Sequence, residues 1–303
     1  MHDWQVQHRA IACNAITNAP KHSPILDTEH QHALLPTVQL GEYRITRLII
    51  GGNPFSGFSH VSQELNQQMR EYYTDERILE ALFEAQRCGL NTMLMRGDAH
   101  IMRIVRKFRD ADGKLHWIAQ TAPEIADWRA NIHDIARHEP IAIYHHGGRT
   151  DELFESGRMD ELKAIVDFIR AQGVLVGIAT HNPEVVEYIE GCDWDIDFYV
   201  TSFYNPRRPP GEVYLPEDRE RMCAVIQNVS KPCIAFKVLA ASRHCDTKEN
   251  LRAAFRYALE HIKPTDAIVV GVWQKKGNQI AEDAQIVREL CAEITASKVA
   301  GES

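Results

Sequence analysis

Histidines follow two apolar stretches of the chain, where they could do acid–base chemistry. The segment IAIYHHGGRTD (141–151) runs from apolar residues into the adjacent pair His145 and His146, and a second run ends in His181. Histidine titrates near neutral pH, so two at one site can serve as a general acid and a general base. With a carboxylate, two histidines are also the donor set of many divalent metal sites.

Charged and phenolic groups follow other apolar stretches. Arg96 and Asp98 stand in MRGD, Tyr204 stands in FYNPRR, and Lys237 lies within the otherwise apolar CIAFKVL. A buried lysine costs several kcal/mol unless it is paired, so Lys237 indicates a functional group, with a structural salt bridge or a Schiff-base lysine as alternatives. Arg96 and Asp98 could simply pair with each other.

The elements that must position these groups alternate regularly along the chain. Near-continuous apolar runs are typical of parallel strands buried on both faces. Eight such runs, separated by helical patterns, predict an α/β fold, a (β/α)8 TIM barrel, with a doubly wound open sheet as the alternative. The runs cover residues 47–53, 91–98, 115–124, 141–148, 174–182, 198–206, 233–243 and 267–273.

Helices are predicted between the strands. TDERILEALFEAQRCG (74–89) has Thr74 or Asp75 as N-cap and Gly89 as the stop. Similar patterns occupy 159–173, 182–191, 217–229 and 247–262. The run 149–162 indicates a solvated loop and the start of a helix. Residues 1–35 lack this alternation of strand and helix patterns, which predicts an N-terminal arm. Residues 36–303 are then predicted to form the single barrel domain.

Composition and charge exclude several classes of protein. The net charge of −8 does not favour nucleic-acid binding, and no apolar run is long enough to span a membrane. The seven cysteines are scattered without a CxxC pair, which is typical of reduced thiols. The first residues lack the apolar core of a signal peptide, so we expect a cytoplasmic protein with a small-molecule substrate. A homo-oligomer remains open.

The order of motifs resembles the aldo-keto reductases. PTVQLGEYRITRLIIGGNPFSG (36–57) resembles the first strand of that family, FYNPRRP (203–209) its turn after strand six, and DAIVVGVWQKKGNQIAEDAQIV (266–287) its last strand and cofactor-binding helix. The resemblance covers residues 36 to 290. It implies a barrel fold and reduction of carbonyls with a nicotinamide cofactor, although fold alone does not fix activity.

Most of the catalytic tetrad of that family is missing. The family uses an Asp, a Tyr, a Lys and a His. The position of the Asp falls near Leu94, no Tyr follows it, strand three ends without a Lys, and only the His has a match, His145. Hydride transfer would therefore lack its usual proton donor.

The residues at the cofactor-binding positions of the family also differ in this sequence. Lys237 replaces the aromatic residue that stacks on nicotinamide, and Gln279 and Asp283 stand where an Arg and an Asn often hold the adenosine phosphate. Lys275 and Lys276 could still bind that phosphate if a nicotinamide cofactor is used.

The resemblance also assigns the side of each strand that faces the barrel interior. It points His145 and His181 inward, and alternation then places Ile143 inward as well. A shift of one residue would exchange His145 for His146. Arg96, Asp98 and Lys237 also point inward, with Tyr204 near the rim.

We therefore expect a lyase or an isomerase or epimerase acting on a small, polar, carbonyl- or hydroxyl-bearing, sugar-like substrate. His145 and His181 would be the acid–base pair or, with Asp98, the ligands of a divalent metal ion. Lys237 and Arg96 would stabilise an enolate or bind an anionic group. One alternative is an NADP-dependent oxidoreductase, with NADP less favoured than a metal, and another is an inactive barrel with a binding role.

Overall fold

Eight parallel strands close into a barrel in the computed structural model, which describes residues 32–206 and 213–301. An antiparallel hairpin, β1 (Thr37–Leu40) and β2 (Tyr43–Thr46), precedes them. Each barrel strand pairs with the next along the chain, and the last closes on the first. The barrel strands are β3 (Leu48–Gly51), β4 (Thr92–Arg96), β5 (His116–Gln120), β6 (Ala142–His145), β7 (Leu175–Thr180), β8 (Phe198–Ser202), β9 (Cys233–Phe236) and β10 (Ala267–Gly271).

Helices follow the barrel strands through the described part of the chain. The α-helices are α1 (Gln63–Tyr72), α2 (Asp75–Arg87), α3 (Ala99–Asp110), α4 (Trp128–Ala136), α5 (Gly147–Glu155), α6 (Met159–Arg170), α7 (Pro183–Gly191), α8 (Pro216–Asn228), α9 (Lys248–His261) and α10 (Gln279–Gly301). No helix among these residues is long and apolar enough to cross a membrane.

The predicted barrel is confirmed element by element. Each of the eight apolar runs contains one barrel strand, and the five predicted helices are present. The Thr74 hydroxyl caps α2 by accepting a hydrogen bond from the Arg77 backbone N–H. Gly89 follows the helix with a φ of +89°, a conformation that glycine adopts at low cost.

Alternate residues of each strand face two separate apolar layers. Ala142 and Tyr144 of β6 pack inside the barrel with Ile118 and Val200, whereas Ile143 packs with the helices outside. The layer that a residue joins therefore fixes whether its side chain can reach the open end of the barrel.

The hairpin closes the end of the barrel where the strands begin. Leu40 and Ile45 belong to the interior apolar cluster, and the turn residue Gly41 lies against Leu175, the first residue of β7. The opposite end, where the strands finish, carries the βα loops and the polar side chains. Most of the predicted N-terminal arm lies outside the described residues; at its end Leu35 is buried and donates its N–H to the Gly89 carbonyl.

Candidate active site at the barrel mouth

His145 faces the helices, and the prediction that it points into the barrel is wrong. It lies one residue after Tyr144, which is interior, and two after Ile143, which packs outside. Its Nδ1 lies 2.8 Å from Oγ1 of Thr150 on α5. Burial lowers the pKa of His145 to about 3, so the ring is neutral and serves as a hydrogen-bonded structural residue.

His146 takes the interior position instead. It is the N-cap of α5: its Nδ1 accepts a hydrogen bond from the Arg149 backbone N–H at 3.3 Å, and its own N–H bonds Oγ1 of Thr121. A nitrogen that accepts carries no proton, so the neutral ring holds its proton on Nε2. Burial, followed by the charges of His181 and Arg96, lowers the pKa of His146 to about 4. At neutral pH it is therefore a neutral hydrogen-bond donor.

His181 is oriented by a buried carboxylate. It follows β7 in phase with the interior residue Ala179, and its Nδ1 lies 2.8 Å from Oδ2 of Asp151. The Asp151 side chain is 2% exposed and also accepts hydrogen bonds from the Thr180 hydroxyl and the His181 backbone N–H. Because Nδ1 donates to this carboxylate, Nε2 of His181 keeps its lone pair and can act as a base.

Small and aromatic neighbours set the plane of the His181 ring. A Cβ atom on Gly147 would lie 3.4 Å from Cε1 of His181, so the start of α5 packs directly against the ring edge. On another side the Phe236 ring meets it edge-on with centroids 5.2 Å apart. The imidazole is held between an α5 turn and an aromatic side chain.

Arg96 lies inside the barrel at the end of β4 and is paired with two carboxylates. Its Nε donates to Asp98 at 3.0 Å and its Nη2 donates to Glu124. Asp98 also caps α3 by accepting from the Ile101 N–H at 2.9 Å. Asp98 thus fixes Arg96 to the start of α3, and the pairing of Arg96 with Asp98 that the sequence left as an alternative is present.

Lys237 is not buried in a strand as the sequence indicated. β9 ends at Phe236, and Lys237 follows it with a φ of +57° and a half-buried side chain. Its Nζ lies 3.4 Å from the Tyr214 hydroxyl. The strand is one residue too short to hold this side chain within the barrel wall.

Tyr204 packs among other rings, and the two lysines proposed to bind a cofactor follow β10. Tyr204 is buried between the rings of Tyr214 and His244, at 5.3 and 6.3 Å, and burial raises its pKa against the opposing charge of Arg219. Lys275 and Lys276 are exposed on a short 3-10 helix after β10.

Asp283 cannot hold a phosphate in the manner expected of that position. Its side chain is buried beside apolar residues of β3 and β10, and burial raises its pKa well above the usual range. An enclosed carboxyl group does not reach an exposed anion, and burial opposes its ionised form rather than supplying a donor for phosphate.

The predicted metal ligands are not assembled. Within residues 32–206 and 213–301, no three His, Cys, Asp or Glu side chains lie together as metal donors. His145 faces the helices, His181 is bound to Asp151, and Asp98 is bound to Arg96 and α3.

Three partners of this site were missed from the sequence. Asp151 and Thr150 fall in the run interpreted as a solvated loop, yet both are buried on the inner side of α5. Glu124 is the last residue of the run 115–124, and no motif or spacing in the sequence marks it as a partner of Arg96. The signal that could have revealed Asp151 is its place about one helical turn after Gly147, the first residue of α5, on the face that a βα helix turns toward its strands.

Comparisons with known proteins identify the fold. No family model and no curated relative matches the chain. The solved structure of Gox0644 in its apo form is similar, with 11% identity, 84% of this chain and 93% of that chain covered, and a TM-score of 0.55. A mutant of Gox0644 in complex with NADPH shows 10% identity over 83% of this chain and 88% of that chain, again with a TM-score of 0.55.

A third similar structure is a truncated 3-deoxy-D-arabino-heptulosonate 7-phosphate synthase from Thermotoga maritima. It shows 12% identity over 88% of this chain and 93% of that chain, with a TM-score of 0.51. At such identities the likeness concerns the barrel fold alone.

Proposed function

We propose that this chain is an enzyme that moves protons beside a carbonyl group, as a lyase or an isomerase or epimerase acting on a small, polar, sugar-like substrate. The observation that carries the proposal is the complementary state of two histidines. His181 keeps a lone pair on Nε2 because Nδ1 donates to Asp151, and His146 keeps a proton on Nε2 because Nδ1 accepts from Arg149.

The two rings divide the chemistry between them. Nε2 of His181 takes the proton from the carbon next to the carbonyl, and the electron pair of that C–H bond moves onto the carbonyl oxygen. The Nε2–H of His146 donates to this developing oxyanion. Asp151 stabilises the His181 imidazolium that forms, as a buried carboxylate does for a catalytic histidine.

The fate of the enolate decides the reaction class. When the deprotonated carbon bears a hydroxyl group, transfer of the hydroxyl proton to the enolate oxygen and return of the carbon-bound proton to the former carbonyl carbon isomerise the substrate. Return of the proton to the opposite face of the original carbon epimerises it. Departure of a β-hydroxyl group as water, with a proton from an imidazole, completes an elimination. Lys237 supplies positive charge at the mouth, and Arg96, whose charge is balanced by Asp98 and Glu124, supplies N–H donors that favour an electron-rich intermediate.

Solvent-deuterium exchange tests the proposal. The protein is incubated in D2O with a panel of ketoses, aldoses, 2-hydroxy acids and 2-keto acids, and loss of the C–H signal next to the carbonyl or carboxyl carbon is followed by NMR. We expect exchange of at least one compound, slowed roughly 100-fold or more by His181→Gln, as general bases contribute about 10²- to 10⁴-fold. His133→Gln, on the exposed face of α4, is the matched control. Equal rates in both variants would contradict the assignment.

A second candidate is an NADP-dependent oxidoreductase. It is favoured by the fold similarity to Gox0644, one form of which was solved with NADPH, and by the exposed Lys275 and Lys276 beyond β10. Quenching of tryptophan fluorescence by NADPH, weakened by Lys275→Glu and Lys276→Glu, would support it. Absence of saturable quenching would contradict the oxidoreductase assignment.

A further inference from the structure

Arg96 holds two carboxylates that differ in how firmly they are fixed. The Asp98 side chain is 21% exposed and is tied at both oxygens, one to Nε of Arg96 and one to the α3 N-terminus. The Glu124 side chain is 54% exposed and lies in the loop between β5 and α4. Asp98 therefore orients the guanidinium, whereas Glu124 can leave it.

The guanidinium faces the space of the proposed chemistry. Arg96 stands in register with Gln120, and Gln120 with the interior residue Tyr144, which precedes His146 by two residues. The Arg96 side chain is 9% exposed, and its Cζ lies 5.0 Å from the centroid of the Phe58 ring. The Arg96 guanidinium, next to the aromatic ring of Phe58, therefore lies on the same interior side of the barrel mouth as His146.

We propose that Arg96 binds the carboxylate of the substrate and that Glu124 occupies this position when substrate is absent. The substrate class is then a small hydroxy or keto acid, and this assignment rests on the proposed proton-transfer function for the reacting end of the molecule. Glu124 shows that a carboxylate fits against Nη2 of Arg96. Arginine recognises planar carboxylates through its fork of N–H donors, which a lysine cannot reproduce.

Replacement of Glu124 by a substrate carboxylate at Arg96 changes the free energy little. When Glu124 leaves, Asp98 still pairs with Nε of Arg96, and only Nη2 loses its partner until a substrate carboxylate takes that position. A salt bridge to a half-exposed carboxylate is weak, so its loss reduces substrate affinity only slightly. Burial opposes and the hydrogen bond from Arg96 favours ionisation of Glu124, with the net result that its pKa is lowered.

Binding of glycolate, the smallest hydroxy acid, tests the inference without requiring turnover. The ¹⁵N signals of the arginine guanidinium groups are followed during titration of the full-length protein with glycolate, and ethylene glycol serves as the uncharged match. We expect a saturable shift of the Arg96 signal with glycolate only. Glu124→Gln should tighten binding roughly two- to fivefold, the factor that corresponds to an exposed salt bridge.

Variants separate the roles of the two carboxylates. Arg96→Lys lacks the guanidinium signal, so its glycolate binding is followed by calorimetry, where no saturable binding is expected. Glu155→Gln, an exposed carboxylate on α5, should leave the glycolate affinity unchanged. If Glu124→Gln leaves affinity unchanged or weakens it, or shows no saturable binding, the inference is overturned. Since this readout does not involve His181, loss of the proton-transfer proposal in the deuterium experiment would leave the carboxylate site standing, and the reverse also holds.

Discussion

Nδ1 of His181 lies 2.8 Å from Oδ2 of Asp151, a carboxylate that is 2% exposed. The Thr180 hydroxyl and the His181 backbone N–H bind the same carboxylate, so its position is fixed by the end of β7. One hydrogen bond thus sets both the tautomer and the orientation of the histidine that we propose as the base.

Asp151→Asn should slow deuterium exchange about 10²- to 10⁴-fold, because an amide N–H facing Nδ1 reverses the histidine tautomer and removes the lone pair from Nε2. The rate is measured with the compound found in the panel. Asp134→Asn, an exposed residue of α4, should leave the rate unchanged. An Asp151→Asn rate within about twofold of the wild type would refute the role of this pair, given the size of a general-base contribution.

Substitutions at the two adjacent histidine positions should affect stability and activity differently. Thr150→Val leaves Nδ1 of His145 buried without its hydroxyl partner, and we expect a loss of about 1–3 kcal/mol in the free energy of unfolding. Deuterium exchange should persist in this variant. His146→Gln should show the opposite result, a large loss of exchange with a smaller change in urea stability; the reverse pattern would show that the two positions had been assigned wrongly.

Acid should destabilise the fold through these same two rings. The unfolded chain protonates histidine near pH 6.5, whereas the folded pKa values are about 3 for His145 and about 4 for His146. The unfolded state therefore binds more protons below pH 6.5, and stability is lost as the pH falls from there toward 4. Each ring should cost about 1–2 kcal/mol between pH 7 and pH 5, measured by urea unfolding.

A variant lacking both rings checks this assignment. In the His145→Gln, His146→Gln double variant the slope of stability against pH should be visibly flatter over this interval. An unchanged slope would mean that other groups cause the acid sensitivity.

Two glycines should respond differently to an added methyl group. Gly41 has a φ of +56° and its Cβ would lie 2.6 Å from Cδ2 of Leu175, so Gly41→Ala should destabilise the protein by more than about 1 kcal/mol. Gly147→Ala meets only ordinary contacts and should change stability by less than about 1 kcal/mol. Thermal melts of both variants give the comparison; equal effects would contradict the packing of the hairpin turn against β7.

The order of the elements could be predicted from the sequence, but the phase of one strand could not. Periodicity and caps such as Thr74 located the strands and helices because burial and backbone hydrogen bonding act locally. In IAIYHH both alternating sets of residues are apolar, since the barrel strand is buried on both faces. Alternation then fixes a period without telling whether His145 or His146 faces inward.

A prediction made strand by strand also could not find side chains from other elements that contact the strand-end residues. Asp151 lies on a helix and meets His181 across 30 positions of sequence, and Glu124 meets Arg96 across 28. A charged run on a helix is usually solvated, and only the packed arrangement shows that Asp151 is not. The prediction that Lys237 is buried within a strand was wrong for a local reason, because β9 ends one residue before it.

The protonation state of the two mouth histidines tests the central claim most directly, because it requires no substrate. Long-range ¹H–¹⁵N NMR of the imidazole rings near neutral pH distinguishes a protonated Nδ1 from a protonated Nε2. The structure requires a proton on Nδ1 of His181 and on Nε2 of a neutral His146, with His181→Gln and His146→Gln used to assign the signals. The same tautomer in both rings, or a charged His146, would contradict the proposed division into base and donor.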